Sequence, residues 1–139
     1  MISTIAVGTD GSETASRAVD VAAEMARRFD ARLVLATAYR DPAGSTSGAV
    51  GERELAWNPA AQLREILART ERELQLQGID CVTRTGRGNP AKALVEIAEQ
   101  CHADVLVIGN KGIHRRILGS VPNSVAHNAP CSVLVVKTT

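Results

Sequence analysis

Val105-Leu106-Val107-Ile108-Gly109-Asn110-Lys111-Gly112 joins four consecutive apolar residues to a loop that carries two glycines. An unbroken apolar run of this length predicts a strand that is covered on both faces, as in a parallel sheet. The glycines allow the backbone to turn sharply and to approach a bulky group closely. This stretch therefore predicts an α/β fold with a loop of functional interest at the carboxyl end of a buried strand.

Four further segments have the length and composition of strands, and helical patterns separate them. The strands are predicted at residues 4–7, 32–39, 80–85 and 132–136, and the helices at 12–28, 59–77, from 89–90 onward, and from 120 to about 128. The helical faces expected in the core carry Ala18, Ala22, Met25, Ala26 and Phe29, then Leu63, Ile66, Leu67 and Leu74, then Leu94, Ile97, Ala98 and Cys101. Residues 41–58 lack either pattern and are expected to form a surface loop of a single domain that spans residues 1–139. Strands that alternate with helices predict a parallel sheet with helices on both faces.

Composition narrows the classes of function. The 139 residues are 45% apolar with a formal net charge of +1, and their aromatic residues are Trp57, Tyr39 and Phe29. Such a chain lacks the stacking platforms of single-stranded nucleic-acid binders and the positive field that favours DNA, RNA or anionic membranes. No apolar run approaches the length that spans a bilayer. We therefore expect neither a nucleic-acid nor a membrane partner.

The three cysteines, Cys81, Cys101 and Cys131, are widely spaced and odd in number. This pattern favours reduced thiols over a disulfide framework or a metal site. The amino-terminal residues enter a strand pattern directly, with no basic leader or cleavage signal. Both observations predict a cytoplasmic protein.

Two loops are the strongest candidates for a binding site. Gly8-Thr9-Asp10-Gly11-Ser12 follows the first strand, and Gly109-Asn110-Lys111-Gly112 continues to Gly119-Ser120-Val121 at the start of the last helix. Open α/β sheets bind ligands at the carboxyl ends of strands, where the strand order reverses. If the first and fourth strands are neighbours, these loops face each other across one crevice.

The chemistry of the second loop favours a phosphate. A helix that begins at Ser120 presents free N–H groups and the positive end of its dipole, and the Ser120 hydroxyl and the Val121 N–H can donate to an anion. His114, Arg115 and Arg116 add positive charge. In the first loop, Asp10 can accept from a ribose hydroxyl or hold a phosphate-bound metal. The plainer alternatives are that the glycines serve as turns and that Ser120 is a helix cap.

These segments resemble the universal stress protein family over essentially the whole chain. The family's nucleotide motif has a glycine, two residues, a glycine, nine residues, then glycine and serine or threonine; Gly109, Gly112, Gly119 and Ser120 match its fixed positions. The first loop, residues 7–12, and the segments 86–91, 103–109 and 129–136 also match. The chain departs from the pattern between Gly112 and Gly119, where residues 113–118 replace nine residues with six. This shortening leaves open whether the loop still closes around phosphates.

The resemblance implies a five-stranded, Rossmann-like parallel sheet in the order 3-2-1-4-5 and a homodimer joined through the last strand. It implies binding of ATP, with Mg²⁺ reaching Asp10 through the nucleotide, or of cyclic AMP, and a role in stress response through an unidentified protein partner. The implied ligand contacts are Gly8 in the first loop, Thr9 and Asp10 to ribose or phosphates, Ala38 and Ile108 beside adenine, and Gly109, Gly112, Gly119, Ser120 and Val121 around ribose and phosphates.

The sequence fits a phosphatase, an efficient ATPase or a phospho-receiver less well than a nucleotide-binding protein. Cys81 and Arg87 have the spacing of a phosphatase loop, but Cys81 begins a predicted strand instead of ending one. No general base or P-loop lysine accompanies the phosphate loop, so hydrolysis of ATP is expected to be slow at most. A phospho-receiver needs an aspartate where Thr85 stands. The remaining alternative is a dimeric interaction module of the same fold whose nucleotide site is degenerate.

Overall fold

The computed structural model describes residues 1–39, 59–110 and 119–138. Within these ranges the chain forms β1 (Thr4–Gly8), α1 (Glu13–Phe29), β2 (Arg32–Tyr39), α2 (Pro59–Leu76), β3 (Cys81–Arg87), α3 (Pro90–Gln100), β4 (Val105–Asn110), α4 (Ser120–Asn128) and β5 (Ser132–Lys137). Every predicted strand and helix is confirmed, with ends that differ by a few residues. The loop predicted at 41–58, and Gly112, His114, Arg115 and Arg116, lie outside the described residues.

The strands form one parallel sheet in the order β3-β2-β1-β4-β5. From β1 the chain builds outward to β3 and then returns to place β4 on the other side of β1. In register, Ala6 lies between Val34 of β2 and Leu106 of β4. The sheet order implied by the resemblance is therefore confirmed, and the strand order reverses between β1 and β4.

Each face of the sheet has its own aliphatic core. One core joins α1 and Leu74 of α2 to alternate residues of the strands, including Ile5 and Leu33, and the other joins α3 and α4 to the intervening residues, including Ala6 and Leu106. These four strand residues are 0% exposed. Full burial of a leucine or isoleucine stabilises a fold by roughly 1.5–3 kcal/mol. Two such layers hold the central strands rigidly and so fix the positions of the loops that follow them.

Helix starts and stops follow local chemistry. Ser12 Oγ accepts the Ala15 N–H at 3.2 Å and Asn89 Oδ1 accepts the Lys92 N–H at 3.1 Å, so α1 and α3 are capped by their own side chains. Gly78 follows α2 with φ +87°, a left-handed conformation that suits glycine after a helix. The predicted pair Glu65–Arg69 is present at 3.7 Å.

Five residues expected in the core are not fully buried, and two of them, Met25 and Leu63, are half-buried. Phe29 is 49% exposed because it is the last residue of α1. Ile66 is 40% exposed on α2, whereas Leu67 and Leu74, seven residues apart, are buried. Cys101 is half-buried because it ends α3 as its C-cap. In the described part of the chain, no helix combines the length and apolar character needed to cross a bilayer.

Candidate functional site at the carboxyl edge of the sheet

The two candidate loops follow neighbouring strands. β1 pairs directly with β4, with Val7 opposite Val107, and both strands end at the same edge of the sheet. The first loop leaves this edge at Thr9, and β4 ends at Asn110. The prediction that the first and fourth strands are neighbours is therefore confirmed.

Hydrogen bonds give the first loop a defined shape. The Thr9 N–H donates to the Ala36 carbonyl of β2 at 2.9 Å, and Thr9 Oγ1 accepts the Gly11 N–H at 3.1 Å. Asp10 Oδ1 accepts the Ser12 N–H at 2.9 Å, which closes a turn of the type that aspartate favours. The Asp10 side chain is exposed at this edge, so a carboxylate stands beside the crevice in a fixed turn.

The amino terminus of α4 has no capping side chain. Gly119, not Ser120, is the N-cap residue, and no acidic residue occupies the first turn. The alternative interpretation from the sequence, in which Ser120 caps the helix, is therefore wrong. Within the described residues, no acceptor lies within hydrogen-bond distance of the Ser120 and Val121 N–H groups. This helix end differs from those of α1 and α3, and its free N–H groups suit an anion.

The glycines of the site differ in how closely an added Cβ atom would approach its neighbours. A Cβ on Gly8 would lie 2.9 Å from Leu94 Cδ1, and one on Gly109 would lie 2.9 Å from Thr138 Cγ2. At both positions a side chain would force a neighbouring methyl group to move. Gly119 has an ordinary φ of −61°, and a Cβ there would meet its nearest atom at 3.4 Å, in van der Waals contact. The described residues therefore leave room for a small side chain at position 119.

The two residues predicted beside an adenine lie at different depths. Ala38 is near the end of β2, two residues beyond the partner of Gly8, and is partly exposed. Ile108 is 4% exposed and belongs to the core beneath α3 and α4. Ala38 can thus offer apolar surface to a ligand, whereas the side chain of Ile108 is mostly used in packing.

Sequence reasoning missed two residues that connect the end of β4 to α4 and to the end of β5. Asn110 is 9% exposed, and its Oδ1 accepts the Gly119 N–H at 3.0 Å. Thr138 Oγ1 donates to the Asn110 carbonyl at 2.9 Å. A polar residue directly after Gly109 in the motif was a signal for Asn110, whereas nothing in the sequence distinguishes Thr138.

The phosphatase alternative fails on geometry. Cys81 begins β3 and Arg87 ends it, so the two side chains are separated by the length of an extended strand, roughly 20 Å at 3.3 Å per residue. Burial, with smaller effects from the charges of Glu71 and Asp80, raises the pKa of the Cys81 thiol to about 12. The thiol is thus protonated and cannot act as a nucleophile near neutral pH.

A model of the universal stress protein family matches residues 1–137. The chain belongs to the universal stress protein family. It is 38% identical to a universal stress protein of Mycobacterium tuberculosis, over 98% of this chain and 97% of the relative. It is 34% identical to one of Methanocaldococcus jannaschii, over 96% of this chain and 81% of the relative.

Solved structures of universal stress proteins share the fold. One universal stress protein, solved in complex with cAMP, is 37% identical with a TM-score of 0.76, covering 99% of this chain and 98% of that one. Another, from Lactobacillus plantarum, is 25% identical with a TM-score of 0.80, covering 97% of each chain. The family resemblance of the sequence is thereby confirmed, together with the Rossmann-like fold that it implied. The roles of the individual site residues remain predictions.

Proposed function

We propose that this universal stress protein binds an adenine nucleotide at the carboxyl edge of its sheet. The observation that carries the proposal is the open amino terminus of α4, where the Ser120 and Val121 N–H groups have no acceptor in the described residues. A phosphate there would accept these hydrogen bonds and gain from the helix dipole. The glycine at 119, where packing against the described residues leaves room for a small side chain, would let a ligand approach the backbone closely.

The remaining predicted contacts follow from this placement of the phosphate. Thr9 and Asp10 would meet the ribose or phosphates from the first loop, and Ala38 and Ile108 would flank the base. Gly109 and Gly112 would complete the surroundings of ribose and phosphates, with Gly8 at the base of the first loop.

The nucleotide itself is ATP or cyclic AMP. Support for cyclic AMP comes from the 37% identical universal stress protein that was solved with cAMP. ATP would bring Mg²⁺, but the described residues hold no group of three or more His, Cys, Asp or Glu side chains that could bind a metal. Its phosphates would therefore supply most of the ligands, with Asp10 as the protein's contribution. Hydrolysis would be slow, because the described part of the site offers no general base aligned for attack by water.

The biological role that fits this chemistry is a switch in stress response or signalling. Nucleotide occupancy would change a surface that a partner protein recognises, in a cytoplasmic homodimer joined through β5. β5 lies at the edge of the sheet and pairs with β4 on one side. No other strand of the described residues pairs with its second edge, which can therefore pair with a second copy of the chain.

The test is isothermal titration with ATP and with cyclic AMP, with and without Mg²⁺. Ser120→Glu places a carboxylate at the proposed phosphate position while favouring the helix dipole, so it should keep the fold and weaken binding at least about tenfold. Ala126→Glu is the control, because it adds the same charge to an exposed position of α4 about 9 Å further along the helix. Binding of neither nucleotide by the unaltered protein would contradict the proposal and favour an interaction module with a degenerate site.

A further inference from the structure

Asn110 stands where the end of β4 meets the start of α4. Its Oδ1 accepts the Gly119 N–H at 3.0 Å, and its own carbonyl accepts the Thr138 hydroxyl at 2.9 Å. The side chain is 9% exposed, so it is held between the sheet and the helix end. Its position is thus fixed beside the N–H groups of Ser120 and Val121.

Within the described residues, only the oxygen of the Asn110 side-chain amide has a hydrogen-bond partner. The oxygen is occupied by Gly119, which orients the amide and leaves the Nδ2 hydrogens as the remaining donors. No acceptor for Nδ2 lies within hydrogen-bond distance in residues 1–39, 59–110 and 119–138. The fully buried side-chain atoms without a partner in the described residues are Thr37 Oγ1 and Thr83 Oγ1, so Nδ2 is not sealed in the core and can donate to a further acceptor. A ligand at this edge would supply one.

We propose that Asn110 is a nucleotide-binding residue whose side-chain amide donates to a phosphate oxygen while its oxygen holds Gly119 at the start of α4. The inference rests on the proposed function and adds a donor that the family motif's glycines and serine do not contain. Asn110 Nδ2 and the Ser120 and Val121 N–H groups then form one set of donors around the same anion. A rigid set of this kind loses little entropy on binding.

The deciding variant is Asn110→Asp. An aspartate has the same shape and keeps the oxygen that accepts the Gly119 N–H, and its charge suits a helix amino terminus, so the fold should be retained. It replaces the donor by a negative charge that repels phosphate. We expect Kd to rise at least about tenfold for cyclic AMP. The loss should be larger for ATP, because ATP carries more negative charge.

The matched control is Asn89→Asp. Asn89 Oδ1 accepts the Lys92 N–H at the start of α3 as Asn110 Oδ1 accepts the Gly119 N–H at the start of α4, and Asn89 is exposed. This variant makes the same chemical change at a second helix start and should bind both nucleotides as the unaltered protein does.

A second measurement needs no variant. In ¹⁵N-labelled protein, the Asn110 side-chain NH₂ resonances should shift in step with saturation by cyclic AMP or ATP. Unchanged affinity in Asn110→Asp, or a static NH₂ signal during saturable binding, overturns this inference and leaves the proposed function standing. If the unaltered protein binds neither nucleotide, the proposed function fails and this inference with it.

Discussion

At Gly11 the backbone and a neighbouring side chain both exclude a larger residue. Its φ of +79° is left-handed, and a Cβ would lie 2.8 Å from Leu63 Cδ1 of α2. The first loop is thus packed directly under the first turns of α2. A change in the shape of this loop would be felt by α2.

The double constraint at Gly11 makes a stability prediction. Gly78 is also left-handed, with φ +87°, but no atom lies within 4 Å of its Cβ position. Gly78→Ala should therefore cost about 1 kcal/mol of unfolding free energy from backbone strain, and Gly11→Ala about 1–3 kcal/mol more because of the contact with Leu63. Urea unfolding of both variants measures the difference. Equal losses would show that Leu63 moves aside without cost.

Asn110 marks the limit of prediction from sequence at this scale. The motif predicted Gly119, Ser120 and Val121 from the order of residues, because helix starts and glycines have local signatures. The pairing of Asn110 with Gly119 joins residues nine positions apart, and that of Asn110 with Thr138 joins residues 28 positions apart. Such contacts depend on how β4, α4 and the end of β5 come together, which no local pattern encodes.

Among the elements, β1 and β4 are tied together at the edge opposite the candidate site. Asp104 Oδ2 accepts the Ser3 N–H at 2.8 Å, the Thr4 N–H at 3.0 Å and the Ser3 hydroxyl at 3.2 Å. The backbone hydrogen bonds from Ser3 and Thr4 hold the pKa of the Asp104 carboxyl below its usual value of 3.8. The charged form of Asp104 therefore anchors the start of β1.

This anchor predicts a pH-dependent contribution to stability. Because the folded pKa lies below the unfolded one, the stabilisation is fully present above the unfolded pKa and is lost as the pH falls through the folded value. Asp104→Asn should therefore be less stable than the unaltered protein by a constant amount above about pH 5, and the gap should narrow below about pH 4. Urea unfolding across this range measures it.

The control for Asp104→Asn is Asp20→Asn, which removes a carboxylate from an exposed position of α1. Asp20→Asn should not lower the free energy of unfolding by a comparable amount at any pH. A difference for Asp104→Asn that stays the same down to the lowest pH would show that the hydrogen bonds do not require the charged carboxylate.

Whole-molecule organisation was the most predictable level. The continuous apolar run at 105–108 and its alternation with helical patterns predicted the layered architecture, because each layer must bury an apolar face. The burial of Phe29 was predicted wrongly, because periodicity shows which face of a helix is apolar but not where the sheet beneath it ends. The sheet order came from the resemblance to universal stress proteins, since local patterns leave several right-handed topologies open.

The proposed homodimer makes a prediction at β5. Leu134 is 37% exposed on this edge strand, between the half-buried Val133 and Val135. Leu134→Lys should weaken pairing between two β5 edges, because charged lysines at sheet edges oppose strand addition. Light scattering after size-exclusion chromatography should show a dimer for the unaltered protein and a larger monomer fraction for the variant. A monomer at all concentrations of the unaltered protein would contradict the proposed dimer.

The central claim is that the amino terminus of α4 binds the phosphate of an adenine nucleotide. The most direct measurement is a titration of ¹⁵N-labelled protein with cyclic AMP and with ATP, following the assigned backbone amides. We predict saturable shifts at Ser120, Val121 and Thr9, and none at Gly78 or Asp104 at the opposite edge of the sheet. Saturation that leaves Ser120 and Val121 unmoved, or no shift at millimolar nucleotide, would contradict the claim.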